Sequence, residues 1–377
     1  MHVDIPSLAE FRALAETRAD LCLSLYLPTS PLPQEANASR ILLGNLTEQA
    51  LSQVADQRVS RGRVNALREA LGALREDNQF WRYQANSLAL LATPDTLRTY
   101  RLPSRLPEAV ELADRFYLKP LLRAITFPHE AFVLALSENT VRLVEVFAEL
   151  PPETVSIADL PTSAADAVRR ASVNERSPRG RLQGSEGQKV LLTQYARQVD
   201  GALRPVLAGR EVPVILASVE PLSSIFRMVS TLHTLAPETI AGSPDRLTDA
   251  ELATAARPIM DDLYARQLTE LRDRFELRRS QGRATRDVAE AARAATFGGV
   301  ETLLVDIDAF VPGTVDEADG RITLGDERPA EAYGVVDEIA RRALLSGARV
   351  LGVRAADLPA EPGAGPLAAT LRYPLTS

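Results

Sequence analysis

Two segments near the end of the chain repeat one pattern, in which an amphipathic helix ends at glycine and a short apolar strand follows. The first is DVAEAARAATFGG followed by VETLLVDI, and the second is VVDEIARRALLSG followed by ARVLGV. Glycine commonly ends a helix because it adopts the left-handed conformation at little steric cost. Short apolar runs rich in β-branched residues are typical of buried strands. Helices that alternate with such strands predict an α/β fold.

The length of the chain predicts more than one domain. A chain of 377 residues exceeds the size at which a single core stops growing. We predict three mixed α/β domains: an N-terminal domain at 1–125, a middle domain with a basic glycine-glutamine loop at 126–245, and a C-terminal α/β sandwich at 246–377.

Local signals place several helices. Ser7 can cap a first helix, and the spacing of apolar residues predicts a helix from about Lys189 to Leu207. The sequence TDAE resembles a capping box and begins a long charged helix near Thr248. Pro258 falls inside that helix, so we expect a kink or a break there.

The composition argues against metal, disulfide and cofactor chemistry. The single cysteine, Cys22, lies in the apolar run LCLSLYL, where we expect a buried thiol. His2, His129 and His233 are scattered and lack the close pairing of a zinc site. The chain contains neither a phosphate-binding P-loop, nor a dinucleotide fingerprint, nor a nucleophile elbow. We therefore expect no metal and no cofactor.

Hydropathy predicts a cytoplasmic protein. No segment has the roughly 18 uncharged apolar residues of a membrane helix. The first residues, MHVDIPSLAEF, lack the cationic region and apolar stretch of a secretory signal. We therefore expect no contact with membranes. The sequence gives no prediction of the oligomeric state.

A basic loop interrupts the middle of the chain. It contains Arg176, Arg179, Arg181 and Lys189 with one acid, Glu186, whereas the whole chain has a net charge of -7. A short cationic loop on an acidic protein is suited to an anionic partner such as the phosphates of RNA. The alternative is a solvated surface loop without a partner.

The succession of segments resembles a known family. FYLKPLLRAI, AFVLALSENTVRLVEV, GSEGQK before QYARQVDGAL, VPVILASVEPLSSIFR, GVETLLVDI and ATLRY follow one another as in the bacterial branch of the archaeo-eukaryotic peptide chain release factors. This branch is related to Pelota and includes the hibernation factor Balon. The resemblance covers about residues 116–374. It implies that the last two domains are similar to the middle and C-terminal domains of these release factors.

The resemblance also implies a site. Release factors of this family insert a Gly-Gly-Gln loop into the peptidyl transferase centre, where the glutamine helps to place water against the ester. Gly187 and Gln188 match the last two positions and would be the catalytic residues, with Gly184 upstream. Glu186 stands in place of the first glycine; its side chain restricts the backbone and phosphates repel its charge. Without the resemblance, Gly187 and Gln188 would be interpreted as a simple turn before a helix.

The function implied is that of a ribosome-associated translation factor that binds ribosomal RNA. The N-terminal section lacks the Asn-Ile-Lys-Ser and Tyr-x-Cys-x-x-x-Phe motifs of stop-codon reading, so hibernation, rescue or quality control is favoured over codon-directed termination. The alternatives are a peptidyl-tRNA ester hydrolase acting through Gln188 and a non-ribosomal binding module. Acidic residues in the last domain favour a protein partner such as a translational GTPase over RNA, although they also suit a solvated loop; they are Asp306, Asp308, Asp316, Glu317, Asp319, Asp326 and Glu327.

Overall fold

A computed structural model describes most of the chain. The described residues are 3–53, 60–126, 130–147, 150–174, 185–208, 210, 212–325, 334–361 and 363–374. They form two compact units, one made of Met1–Pro128 together with Ala265–Ser377 and the other of His129–Tyr264. Both units combine helices with sheets, so the predicted mixed α/β class is confirmed.

The N-terminal section begins with a capped helix. Ser7 and Glu10 form a capping box at the start of the first helix, as predicted. The elements of this section are α1 (Leu8–Glu16), β1 (Cys22–Pro28), α2 (Ala36–Gln53), α3 (Arg61–Glu76), α4 (Asn78–Arg82), β2 (Ser87–Ala92), β3 (Leu97–Leu102), β4 (Ala109–Ala113) and α5 (Lys119–Thr126). The four strands form an antiparallel sheet in the order β3-β2-β1-β4.

Both faces of β1 are buried, which explains why its sequence is apolar without alternation. Leu23 and Leu25 face a core that contains Leu67 and Trp81 of α3 and α4. Side chains at even positions, among them Cys22, face a second core. The period of two that a strand imposes thus divides one apolar run between two cores.

The second unit is built around a mixed sheet. Its elements are β5 (Glu130–Leu136), β6 (Val141–Phe147), β7 (Glu153–Val155), α6 (Ala164–Asn174), α7 (Ser185–Leu207), β8 (Val214–Ala217), α8 (Leu222–Val229), β9 (Leu235–Ile240) and the first part of α9 (Asp249–Ser280). The strand order is β7-β6-β5-β8-β9, with β5, β8 and β9 parallel. Phe132 and Leu134 of β5 pack with α7 and α8, while Val133 packs with Leu252 and Ala256 of α9.

Helix α9 excludes the break that was one of the two outcomes expected at Pro258. It begins at the predicted capping box, in which Thr248 and Glu251 exchange hydrogen bonds. It does not break at Pro258 but continues to Ser280. Proline removes only one backbone hydrogen bond, and the buried side chains of Ala256 and Met260 on either side hold the helix against the core.

The C-terminal section contains the predicted repeat, in which a helix ends at glycine and a buried strand follows. Its elements are β10 (Ala284–Thr285), α10 (Val288–Thr296), β11 (Val300–Asp306), β12 (Gly313–Val315), β13 (Ile322–Leu324), α11 (Val335–Leu345), β14 (Arg349–Val353) and β15 (Leu367–Leu371). Gly298 and Gly347 follow the two helices with φ of 68° and 80°, as expected of glycines that end helices. The sheet has the order β10-β15-β11-β14, and β11 and β14 are parallel.

The N-terminal and C-terminal sections share one hydrophobic core. Tyr26, Phe116 and Leu121 belong to the same buried cluster as Val305 and Ile339. The predicted first domain and the part of the predicted third domain from Ala265 onward therefore lie within one compact unit. Their division into separate domains at 125 and 246 stays a prediction.

Candidate functional site

Gly187 and Gln188 lie in the first turn of α7 rather than in a loop before it. The helix begins at Ser185, earlier than the predicted start at Lys189. The described buried apolar side chains of α7 begin at Leu192, so the apolar repeat gives no sign of the first turn. Gly187 is buried, whereas Gln188 and Lys189 are exposed.

The side chain of Gln188 is held by the turn between β5 and β6. Its Nε2 donates a hydrogen bond to Oε1 of Glu138 over 3.3 Å. The backbone carbonyl of Glu138 in turn accepts from the amide of Ala164 over 2.9 Å. The turn therefore lies beside the N-terminus of α7, at the carboxyl end of β5.

A polar network fixes that turn. Asp245 accepts hydrogen bonds from Ser137, from the Asn139 amide (3.0 Å) and from the Thr140 hydroxyl (2.9 Å). The Ser137 hydroxyl oxygen accepts from the backbone amides of Asn139 (3.0 Å) and Thr140 (2.9 Å). From α7, the buried hydroxyl of Tyr195 donates to the Ser137 carbonyl over 3.0 Å. Because the turn is hydrogen-bonded both to Asp245 and to Tyr195, its conformation is fixed. Glu138 therefore accepts the hydrogen bond of Gln188 from a fixed position.

The titration of this network suits a structural role. Hydrogen bonds from Ser137, Asn139 and Thr140, with the nearby charge of Arg142, lower the pKa of Asp245. Burial, and then the charge of Asp245, raises the pKa of the Tyr195 hydroxyl well above its usual value. At neutral pH Asp245 is thus a charged acceptor and Tyr195 a neutral donor. Neither group is poised near pH 7, as a general base would be.

The predicted RNA-binding residues are only partly described. Arg176, Arg179, Arg181 and Gly184 lie outside the described residues. Lys189 is exposed on α7, and its carbonyl accepts a hydrogen bond from the Thr193 hydroxyl over 2.7 Å. The structure therefore brings Gly187, Gln188 and Lys189 together on one helical turn, and the role of the arginines stays a prediction.

The acidic residues of the C-terminal section hydrogen-bond to their own backbone. Asp306 accepts from the amide of Asp308, and Asp316 accepts from the amides of Ala318 and Asp319. These backbone hydrogen bonds lower the pKa of Asp316. Such contacts are typical of aspartates that shape turns. Asp326 and Glu327 lie outside the described residues.

Within the described ranges, neither a metal site nor a membrane-spanning helix adds to this picture. No three or more histidine, cysteine, aspartate or glutamate side chains within the described ranges are grouped so that they could hold a metal ion. None of the helices that the structure describes combines the length and the apolar character needed to cross a membrane.

Sequence reasoning missed Glu138, Ser137, Asn139, Asp245 and Tyr195. SENT separates two apolar runs, so the turn itself has a local signal. The contact of that turn with Asp245 joins residues more than a hundred positions apart, and no local pattern marks it. The spacing of Tyr195 on α7 indicates a buried position and gives no sign of its hydroxyl contact.

A family model matches the second unit. Residues 128–266 match bacterial archaeo-eukaryotic release factor family 11. The match contains β5, α7, β8, α8 and the turn that holds Gln188. No curated protein sequence matches the chain.

The chain also shows low similarity to several solved structures. The archaeal translation termination factor aRF1 is 18% identical with a TM-score of 0.25, and the match covers 98% of this chain and 99% of that one. Dom34 of S. cerevisiae is 12% identical with a TM-score of 0.40, covering 77% and 80%. Archaeoglobus fulgidus Pelota is 12% identical with a TM-score of 0.30, covering 100% and 95%.

These TM-scores lie below 0.5, so the family match alone carries the assignment. That match spans the second unit and includes both positions of the predicted Gly-Gln pair. Residues 128–266 therefore match bacterial archaeo-eukaryotic release factor family 11, and the family resemblance predicted from the sequence is confirmed.

Proposed function

We propose that this protein is a ribosome-associated translation factor of the release-factor and Pelota type. The family match over residues 128–266 is the observation that carries the proposal. The basic segment that precedes α7 supports it, because arginines contact phosphates without regard to sequence.

Within this class we favour hibernation, rescue or quality control over codon-directed termination. The first domain lacks both motifs of stop-codon reading, and Glu186 replaces a glycine of the hydrolytic loop. The geometry around Gln188 also supports a role without hydrolysis, because its amide donates to Glu138 and lies in a helical turn. A glutamine that places water against an ester needs an amide free to face that ester.

Binding to ribosomes tests the class. In a sucrose cushion at low salt, we expect the protein to sediment with ribosomes, with stationary-phase ribosomes as the first preparation to test. Contacts with phosphate weaken steeply as salt rises, so the bound fraction should fall between about 50 and 200 mM salt. Failure to sediment at every salt concentration would instead support a binding module that has no ribosomal partner.

The exposed Gln188 side chain supports a second candidate function, hydrolysis of the peptidyl-tRNA ester. On ribosomes loaded with peptidyl-tRNA, we expect the unmodified protein to release no peptide above background, and Gln188→Ala to bind ribosomes equally well. If the unmodified protein releases peptide and Gln188→Ala lowers that release by roughly a hundredfold, hydrolysis would be favoured over a role without hydrolysis. Gln198→Ala, a second glutamine on α7 whose amide bonds the Ala167 carbonyl, is the matched control.

The proposal includes a protein partner for the C-terminal section. A translational GTPase is the kind of protein that a factor of this type would meet on the ribosome. Asp306 and Asp316, two of the acidic residues that suggested this partner, accept hydrogen bonds within their own turns, so these two support it less than the charge pattern alone would.

A further inference from the structure

Helices α1, α5 and α11 enclose a cavity within the first unit. Its volume is about 30 Å³, which is room for about two water-sized groups. Its apolar wall is formed by Phe11, Phe116, Leu118, Leu122, Leu344 and Val350. The polar groups that reach it are few, and two of them have unused hydrogen-bonding capacity.

Asp337 provides the first of these polar groups. Its side chain is 3% exposed. Oδ2 accepts from the amide of Gly334 over 3.1 Å, but none of the described residues donates a hydrogen bond to Oδ1. A buried carboxylate oxygen without a donor is costly, because it has lost water and gained no replacement. Oδ1 therefore calls for a donor in the cavity.

Lys119 provides the second polar group. Its side chain is 5% exposed, and its Nζ donates to the carbonyl of Ala309. Nζ lies 3.8 Å from Oδ1 of Asp337, which is an ion pair but too long for a hydrogen bond. An ammonium has three donors, so Lys119 has further protons to offer a ligand that accepts.

The charges around the cavity are balanced. Lys119 pairs with Asp337, and the guanidinium of Arg341 pairs with Glu338 over 2.7 Å. A charged ligand would lose its hydration without meeting a free counter-charge. The cavity therefore suits a neutral group that both donates and accepts hydrogen bonds.

We propose that this cavity is a binding site for a small neutral molecule with a hydroxyl group on a short apolar body. The hydroxyl donates to Oδ1 of Asp337 and accepts from Nζ of Lys119, which satisfies both groups with one oxygen atom. The apolar body packs against the wall of phenylalanine, leucine and valine side chains. This site is independent of the ribosomal function proposed for residues 128–266.

Methanol and fluoromethane test the site as a matched pair of probes. Both have two heavy atoms, which suits room for about two water-sized groups, but only the alcohol can donate to Asp337. In methyl spectra of the full chain labelled at leucine and valine, methanol should shift Leu122, Leu344 and Val350 saturably at millimolar or higher concentrations. Fluoromethane should bind roughly tenfold more weakly, since it leaves Oδ1 without a donor.

A variant that fills the cavity provides the second arm. Ala340 lines the cavity, and Ala340→Leu should abolish the saturable shifts, whereas Ala250→Leu on the exposed face of α9 should leave them unchanged. Absence of saturable shifts in the unmodified chain would mean that water alone fills the cavity and would overturn the proposal. Equal affinity for the two probes would also overturn it, and that comparison needs no variant to fold.

Discussion

Reversing the charge of Arg176, Arg179 and Arg181 to glutamate is expected to weaken ribosome binding by roughly tenfold or more near 0.1 M salt. Each arginine that contacts a phosphate releases counterions from the RNA, and glutamate at the same place is repelled. The slope of log affinity against log salt should decrease by about three, one for each lost contact. Sedimentation with purified ribosomes over a salt series measures both quantities.

The control variant changes the net charge by the same amount at another place in the chain. Arg61, Arg68 and Arg75 are exposed on α3, so their reversal to glutamate alters the whole protein as much as the loop variant does. We expect this control to keep most of the affinity and the full salt slope. If both triple variants lose binding equally, net charge rather than the loop governs the interaction, and the loop is not the contact.

Glu338→Gln is expected to lower the free energy of unfolding by about 3 kcal/mol at pH 7. Burial alone would raise the pKa of Glu338. Hydrogen bonds from Arg341 and Arg342, with the charges of Arg341 and Arg115, outweigh burial and hold the pKa at about 2, compared with 4.5 for a free glutamate. Glu338 accepts from Arg115 over 2.6 Å and from Arg342 over 2.7 Å. Arg115 precedes α5 and Glu338 lies on α11, so this contact joins the two sections of the first unit.

The pH dependence gives the sign of this effect. Since the folded-state pKa is lowered, the contribution is complete above about pH 4.5 and disappears as the pH falls through about 2. Urea unfolding of both proteins across this range should show the difference shrinking with acid. Glu276→Gln is the control. Glu276 also forms an ion pair, with Arg279 over 2.6 Å, but both side chains are nearly half exposed. That pair should contribute less than about 1 kcal/mol. Equal effects of the two variants at pH 7 would contradict the burial argument.

The sequence predicted most elements of the fold because their signals are local. The capping box at Ser7, the alternation in VRLVEVF and the glycines at 298 and 347 each act within a few residues. The helix does not break at Pro258, one of the two outcomes expected there, because packing on both sides of the proline, which is not local, outweighs one lost hydrogen bond.

The candidate site was predictable only in part. Gly187 and Gln188 came from a resemblance, and the family match confirms that resemblance. Their place inside α7, and the tether from Gln188 to Glu138, depend on contacts between distant segments. The shared core of the N-terminal and C-terminal sections depends on such contacts too, since Tyr26 and Ile339 are more than three hundred residues apart.

Contact of the segment before α7 with ribosomal RNA can be tested directly in this chain. Its only cysteine, Cys22, is buried, and burial raises the pKa of its thiol to about 11. A cysteine introduced by Gln183→Cys can therefore be labelled selectively with an iron chelate that cleaves nearby RNA.

With the labelled protein bound to ribosomes, we expect cleavage of ribosomal RNA near the peptidyl transferase centre. A chelate at the exposed position of Thr254→Cys on α9 should give a different pattern without that cleavage. Ribosome-bound protein that cleaves no ribosomal RNA from position 183, or that cleaves identically from both positions, would contradict this expectation.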